Sequence, residues 1–427
     1  MKMIEYSSAL LKERYVRTVH KSGLPIYVFP KKLTTAFAYF AVRYGSVDNA
    51  FFSAGATQPT KVPDGVAHFL EHKLFENADG SDSCARFAAL GADANAFTTY
   101  NRTAYLFSCT DRFEESLAEL LTFVTHPHFT KASVQKEQGI IAEEIRMYED
   151  SPWDRCMQLL CESLYHNHPV RNNICGTVES IARITPTLLY DCYHAFYTPE
   201  NMALIVCGDV EPEAVLALAD RWLPDTFAAK NTARVEVFEP VHAARTYAET
   251  RMQVAKPLFS IGIKDLPPTG TPAERLRREL AMDLLDEILF SRAGSFYNGL
   301  FEEGVIMPTF AAGYSCAEGF AFHCISGEAE SPELVLERLK AYLAKVRKNG
   351  IPDADFERCR RVLYADELRA YDSTEEIASR LLSFVFDGAE MFSCPEVLQS
   401  ITKGELEALL ATAFPDEAFS MAVVRPL

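Results

Sequence analysis

Two homologous α+β halves are predicted for this chain of 427 residues. The length exceeds what a single hydrophobic core normally supports. Strand-like and helix-like hydrophobic patterns are mixed along the chain. Segments of the first half also recur in weakened form in the second, as in a duplicated domain. We therefore predict a first half at residues 1–225, a linker at 226–250 and a degenerate second half at 251–427.

The composition is that of a soluble globular protein, with 48% hydrophobic and 24% charged residues. The formal net charge of −17 argues against nucleic acid or an anionic membrane as a partner, because both bind through basic patches. No run of residues approaches the length of about eighteen apolar residues that a membrane-spanning helix needs. We expect neither kind of partner.

The N-terminus and the cysteines bear on the cellular compartment. The first residues include acidic side chains and no continuous apolar run, so they do not resemble a secretion signal. The 11 cysteines occur without any Cys-x-x-Cys pair and mostly in apolar segments, as expected of buried, reduced thiols. Together these features predict a cytoplasmic protein.

Strand and helix patterns are interspersed in the first half. β-rich segments lie within residues 15–45, and a loop rich in Ser, Gly and Pro at 46–63 leads into a helix within 64–76. Apolar periodicity and turn residues predict helices at 81–90, 112–124, 131–149 and 212–222, and strands at 91–98, 103–109 and 201–209.

The helix within 64–76 carries the sequence His68-Phe-Leu-Glu71-His72. Helix positions i, i+3 and i+4 share a face, so both imidazoles can reach one ion with a carboxylate beside them. Zinc binds imidazole nitrogen, and a neighbouring Glu can deprotonate a zinc-bound water. His-x-x-Glu-His is this arrangement in the inverted metalloprotease order. A surface helix with two solvated histidines is the alternative, although random placement gives only about 0.03 such motifs per chain.

The helix at 131–149 places Glu137, Ile141 and Glu144 on one stripe, because seven residues make close to two turns. A carboxylate in an apolar stripe needs a partner. Three other charged residues of this helix are expected to face solvent: Glu143, Arg146 and Glu149.

Two further histidine pairs lie beside proline in loop-like sequence. They are His126 with His128, and His166 with His168. We expect these side chains to be solvated or to cap local turns rather than to form a second metal site.

The internal repeat has one copy that carries the candidate site residues and one degenerate copy that has lost them. Three segments of the first half, 68–75, 143–149 and 184–206, align with 283–290, 366–372 and 401–423 at offsets of 215, 223 and 217. The second copy keeps the apolar positions but has Asp283 in place of His68 and Glu287 in place of His72. We therefore assign the chemistry to the first half and a scaffold or substrate-facing role to the second.

The joint pattern resembles the pitrilysin family of zinc peptidases, the inverzincins that include insulin-degrading enzyme and the mitochondrial processing peptidases. It is most similar to the small bacterial processing-peptidase-like subunits. The resemblance covers nearly the whole chain and rests on five features: the His68–His72 motif, Asn95-Ala-Phe-Thr98, the helix from Glu137 to Glu144, Phe196-Tyr-x-Pro199-x-Asn201, and the degenerate second copy.

The resemblance implies a role for each matching residue. His68, His72 and Glu144 would bind one Zn²⁺ per chain, and Glu71 would be the general base. Glu137 would support the site, with a plain surface salt bridge as its alternative. Asn95, Ala96 and Phe97 would lie on the strand to which extended peptide is added through main-chain hydrogen bonds, unless Asn95 merely begins a strand.

The resemblance also implies a fold and a class of substrate. Each half would be a mixed, largely antiparallel sheet with helices over one face, and the two halves would face each other across a chamber. An enclosed site of this kind would cleave unfolded peptides or flexible segments.

One departure from the family pattern affects the predicted activity. Active single-chain relatives carry Leu-Arg-x-x-x-x-Leu-x-Tyr in the second half, where this chain has Phe301 in place of Arg and no matching Tyr. Three alternatives follow: a zinc endopeptidase, a zinc-bearing subunit that needs a homologous Arg/Tyr-bearing chain, or a peptide-binding or assembly protein without turnover. We expect either a homodimer or a heterodimer with such a homologous chain.

Overall fold

The computed structural model describes residues 2–53, 55–227 and 232–427. Its strands are β1 (Ile4–Ser8), β2 (Glu13–Val19), β3 (Pro25–Pro30), β4 (Ala36–Val42), β5 (Ala50–Ser53), β6 (Thr60–Lys61), β7 (Asp93–Thr98), β8 (Thr103–Cys109), β9 (Met202–Gly208), β10 (Thr232–Arg234), β11 (Tyr247–Met252), β12 (Leu258–Asp265), β13 (Ala311–Ala317), β14 (Phe320–Glu328) and β15 (Phe419–Pro426).

The α-helices lie between and around these strands. They are α1 (Val66–Leu74), α2 (Ser83–Leu90), α3 (Phe113–Thr125), α4 (Lys131–Asp150), α5 (Pro152–Leu164), α6 (Val178–Ile181), α7 (Pro186–Phe196), α8 (Pro212–Trp222), α9 (Pro272–Phe290), α10 (Ser295–Glu302), α11 (Pro332–Asn349), α12 (Asp353–Arg369), α13 (Thr374–Asp387), α14 (Cys394–Ser400) and α15 (Lys403–Thr412). No helix of the described ranges is both long and apolar enough to cross a membrane.

The chain forms two compact units, each assembled from separate stretches of sequence. Unit 1 contains Met1–Ile145, Asn173–Val235 and Leu368–Phe392. Unit 2 contains Arg146–Asn172, Glu236–Glu367 and Ser393–Leu427. The predicted halves, 1–225 and 251–427, are each one continuous stretch of sequence. They describe the proposed duplication and its division of roles, whereas each compact unit combines stretches from both halves.

The large sheet of unit 1 has the strand order β1-β2-β3-β9-β4-β8-β7. All its pairings are antiparallel except β3 with β9. The central strands β4 and β9 are nearly continuous runs of buried residues, as expected for strands that are covered on both faces. The strand β7 lies at the edge of the sheet.

Helices cover both faces of this sheet, whereas we expected them over one face. On one side α1 and α3 contact β8. On the other, Ile377 and Leu381 of α13 share a buried cluster with Tyr15, Phe37 and Tyr39. The helix that covers this second face therefore lies more than three hundred residues after β4 in the sequence.

Unit 2 has a sheet of the order β11-β15-β12-β14-β13, antiparallel except for β11 with β15. Helix α5 packs on β12 and β15. A Cβ at Gly262 of β12 would lie 2.7 Å from Leu164 Cδ1, so glycine permits this close approach. The predicted α+β class with mixed, largely antiparallel sheets is confirmed in both units.

The predicted linker at 226–250 is partly structured. It contains β10 and the start of β11, and residues 228–231 lie outside the described residues. Glu239 accepts hydrogen bonds from the backbone N–H groups of His166, Asn167 and His168 at 2.7 to 2.8 Å. Its carboxylate also lies 2.6 Å from Lys264 Nζ. The linker is thus fixed to unit 2 by one nearly buried carboxylate.

The pKa of Glu239 is the result of opposing effects. Burial raises it, but the ion pair with Lys264 and the three backbone donors outweigh burial and lower the pKa from 4.5 to about 2. Because the folded-state pKa is depressed, the ionised group stabilises the fold above pH 4.5, and this contribution is lost as the pH falls towards 2.

We expect Glu239→Gln to destabilise the protein by about 3–4 kcal/mol at neutral pH, since the pKa falls from 4.5 to about 2 and each pKa unit corresponds to roughly 1.4 kcal/mol. Urea unfolding of both proteins measures the difference, which should disappear towards pH 2. The exposed Glu236→Gln is the control and should unfold like the wild type. A Glu239→Gln effect that stays constant with pH would contradict the assignment.

Candidate metal centre

The position of α1 is set by a close backbone contact at its N-terminus. Gly65, which precedes the helix, has a φ of 92°, and a Cβ there would lie 2.4 Å from the carbonyl oxygen of Cys175. Gly176 approaches the carbonyl oxygen of Asp64 in the same way. Since a nine-residue helix has little stability of its own, such tertiary contacts fix its place. Phe69 and Leu70 bury its inner face.

Helices α1 and α4 bring three potential metal ligands together. His68 Nε2 lies 3.6 Å from Glu144 Oε1, and His72 Nε2 lies 3.4 Å from Glu144 Oε2. One donor atom from each of the three residues lies within 4.8 Å of the other two. Within the described residues no other group of three or more His, Cys, Asp or Glu side chains meets this condition.

These separations fit a zinc ion. Zn–N and Zn–O bonds of about 2.0–2.1 Å in a tetrahedron place neighbouring ligand atoms about 3.3–3.4 Å apart. The two measured imidazole–carboxylate separations, 3.6 and 3.4 Å, are close to that edge length. Two neutral imidazoles and one carboxylate also form a common ligand set for catalytic zinc, which leaves a fourth position for water.

Glu137 orients one of the imidazoles. Its Oε1 lies 3.1 Å from His72 Nδ1, so the His72 tautomer with a proton on Nδ1 presents the Nε2 lone pair towards Glu144. Burial opposes charge on His72, but the hydrogen bond to Glu137 and the nearby carboxylates outweigh burial and raise the pKa of His72. Burial likewise raises the pKa of Glu137, and the contact with His72 and the nearby lysines lower it overall.

Glu71 lies beside the ligands and is held by β7. The Thr98 hydroxyl donates a hydrogen bond of 2.5 Å to Glu71 Oε2, and Thr98 lies 3.2 Å from Thr103. Burial raises the pKa of Glu71, although His68 and Thr98 act in the opposite direction. A buried carboxylate with a raised pKa is suited to exchanging protons near neutral pH.

Sequence reasoning did not identify Lys73 as part of this site, and it placed Thr98 on the predicted substrate strand without its contact with Glu71. Lys73 is fully buried, and its Nζ lies 2.5 Å from Glu76 Oε2 and 3.8 Å from Glu137 Oε2. A signal for it existed, because a lysine three and four positions after Leu70 and Phe69 falls on the apolar face of the helix. Thr98 gave no such signal, since its contact with Glu71 depends on the tertiary structure.

A groove of about 440 Å³ runs beside the ligands. Glu71 and His72 form one wall, and Asn95 and Ala96 of β7 form another. The side chain of Phe97 instead packs against Tyr39 in the core, with ring centroids 6.0 Å apart, so only its backbone can take the predicted substrate-facing part. Because β7 is an edge strand that pairs with β8 alone among the described residues, its other edge is open to a further strand.

The remaining candidates from the sequence lie elsewhere. His168 caps a local turn by accepting from Val170 N, and none of the histidines outside α1 joins the ligand cluster. Phe301 is 43% exposed and stacks on Tyr297. Asp286, the counterpart of Glu71 in the second copy, pairs with buried His323 at 2.8 Å.

Comparison with known proteins decides the family. The description "Insulinase (Peptidase family M16)" matches residues 49–178, and "Peptidase M16 inactive domain" matches 183–363. The zinc protease YmfH of Bacillus subtilis is 38% identical over 100% of this chain and 99% of its own length. The chain belongs to the M16 peptidase family.

Solved structures of M16 peptidases share the fold. An M16-like peptidase from Alicyclobacillus acidocaldarius has a TM-score of 0.93 and 33% identity, covering 97% of this chain and 99% of the other. The periplasmic protease PqqL of Escherichia coli has a TM-score of 0.72 and 20% identity, and the match covers 97% of this chain but 47% of PqqL. The resemblance read from the motifs is therefore confirmed, and the M16 family places the chain among metallopeptidases.

The contact at Gly65 generates a test of how α1 is held. Gly65→Ala should destabilise the protein by about 2–4 kcal/mol, because it combines a left-handed φ with a backbone clash. Gly80→Ala is the matched control: its φ is 79°, but a Cβ there would meet nothing within 4 Å. It should cost only about 1 kcal/mol. Thermal unfolding compares the two variants, and equal losses would contradict the role of the close contact.

Proposed function

We propose that this M16 protein is a zinc endopeptidase that cleaves unfolded peptides or flexible segments. The observation that carries the proposal is the cluster of His68, His72 and Glu144, in which each imidazole Nε2 lies 3.4 to 3.6 Å from an oxygen of Glu144. The buried Glu71 lies beside this cluster. One Zn²⁺ per chain would be held by these residues. A bound zinc would acidify a water molecule and polarise a peptide carbonyl.

The chain's own residues supply the proton transfers. Glu71 accepts a proton from the attacking water and delivers it to the departing amine, which needs a carboxylate that exchanges protons near neutral pH. Thr98 fixes the Glu71 carboxylate through its hydrogen bond. Glu137 keeps His72 in the tautomer that presents Nε2.

The open edge of β7 supports recognition of extended peptide. Ala96 N–H donates to the side chain of Asn95 at 2.8 Å, so this backbone group does not bond to β8. An added peptide strand would take such edge groups as partners, which gives affinity through the main chain and tolerates varied side chains. Asn95 and Ala96 are thus proposed as substrate-binding residues, together with the backbone of Phe97.

Glu71→Gln tests the proposed base. The variant should bind zinc as the wild type does and should lose peptide cleavage by about 10²- to 10⁴-fold, the usual contribution of a general base. Zinc content is measured by elemental analysis and cleavage with a quenched fluorescent peptide. The exposed Glu149→Gln serves as control and should keep full activity. Full cleavage by Glu71→Gln would exclude the assignment. A wild type that binds zinc but cleaves nothing, either alone or with a homologous Arg/Tyr-bearing chain, would favour a peptide-binding protein.

A second candidate function is that of a zinc-bearing subunit that works with a homologous chain. Two observations favour it: the chain matches only about half of PqqL, at 47%, and Phe301 has no cation to offer a developing oxyanion. Preorganised donors of that kind are worth about 10²- to 10³-fold in rate. A partner chain carrying the Arg/Tyr pair would supply them, in a heterodimer rather than a homodimer.

Mixing experiments separate the two candidates. If a partner is needed, the purified chain should cleave peptide slowly and gain about 10²-fold on addition of a homologous Arg/Tyr-bearing chain. The same mixture with Glu71→Gln should stay inactive, which would assign the chemistry to this chain. Fast turnover by the isolated chain would exclude the requirement for a partner.

The proposed compartment is the cytoplasm. It rests on the cysteines of the described residues, which form no disulfide and are mostly buried. PqqL, by its description, is a periplasmic protease, so relatives differ in compartment.

A further inference from the structure

Lys73 is a charged residue for which the proposed reaction has no use. Its side chain is completely inaccessible to solvent and directly follows the ligand His72 in α1. A buried ammonium is unfavourable unless carboxylates compensate it. Two do so here: Glu76 from the next turn of the chain and Glu137 from α4.

The two carboxylates lie at different distances from Lys73 Nζ. Glu76 Oε2 lies at hydrogen-bonding distance from Nζ, 2.5 Å. Glu137 Oε2 lies at 3.8 Å, beyond a normal hydrogen bond, so its attraction to the ammonium is Coulombic. The other oxygen of Glu137 is 3.1 Å from His72 Nδ1. Glu137 therefore spans two consecutive residues of α1, with one oxygen on each.

We propose that Lys73 is a positioning residue that fixes the Glu137 carboxylate, and through it the ring of His72, for metal binding. The inference rests on the proposed metal centre and adds a residue to it. The chain of contacts runs from Glu76 to Lys73, Glu137 and His72.

The two oxygens of Glu137 face different partners. The ammonium of Lys73 attracts Oε2 from 3.8 Å, while Oε1 remains the acceptor for His72 Nδ1–H. Groups that orient a metal-binding histidine in this indirect way typically change metal affinity about 10- to 100-fold when removed.

Lys73→Met tests the proposal, because methionine keeps the length and apolar stem of lysine without its charge. We expect the zinc dissociation constant, measured by competition with a chromophoric chelator, to rise about tenfold or more. The d–d absorption of the Co²⁺-loaded protein should also change, since it reports the ligand geometry. Lys73→Arg, which keeps the positive charge, should restore most of the affinity. If Lys73→Met does not fold, Lys73→Gln is measured with the same expectation.

Two further variants separate positioning from plain stabilisation. Glu76→Gln removes the close partner of Lys73 but leaves Glu137 and His72 in place, so zinc affinity should stay within about threefold of the wild type. In a Glu137→Gln background, Lys73→Met should weaken zinc binding by less than about threefold, because the intermediary is already lost.

Each outcome decides between the two roles. Unchanged zinc affinity in folded Lys73→Met, a tenfold loss in Glu76→Gln, or additive losses with Glu137→Gln would overturn the inference. A lysine that only stabilises the fold would lower the melting temperature without changing the dissociation constant. A wild-type chain that binds no zinc would refute the proposed function itself, which distinguishes the two failures.

Discussion

The spacing of two imidazoles one helical turn apart is the constraint on which the rest of the site depends. His68 and His72 can meet one carboxylate only if α1 keeps its register and its distance from α4. A helix of nine residues cannot ensure this by itself. The glycine contact at its start holds the helix in place, and the hydrogen bond that His72 donates to Glu137 holds one ring.

Local periodicity accounts for the parts of the site that the sequence predicted. The i, i+4 spacing alone places both histidines on one face, and a proline at the start and an apolar stripe place α8 at Pro212–Trp222 as predicted. Periodicity says which face Glu144 occupies but not what lies opposite it, so only family resemblance linked it to α1. The roles of Lys73 and Thr98 beside the metal centre were missed for the same physical reason, because their partners come from other elements.

The packing of elements in the fold could not be predicted from hydrophobic patterns. Strands, helices and the α+β class follow from hydrophobic patterns that each segment carries itself. The apolar stripe of α13 is equally visible in the sequence. However, the stripe does not indicate which of the two sheets the helix covers, since each sheet offers an apolar face. Its contact with β4 and β9 therefore had to come from the tertiary structure, as did the fixing of the linker by Glu239.

The discontinuity of unit 1 has a consequence for biosynthesis. All three proposed metal ligands are translated within the first 145 residues, but the cover of their sheet, at Leu368–Phe392, is translated more than two hundred residues later. Until then one apolar face of β4 and β9 has no partner, and an uncovered face of that kind invites aggregation or chaperone binding. The nascent protein therefore holds all three proposed ligands on an incomplete fold, and the sheet that supports them is covered only once Leu368–Phe392 has been made.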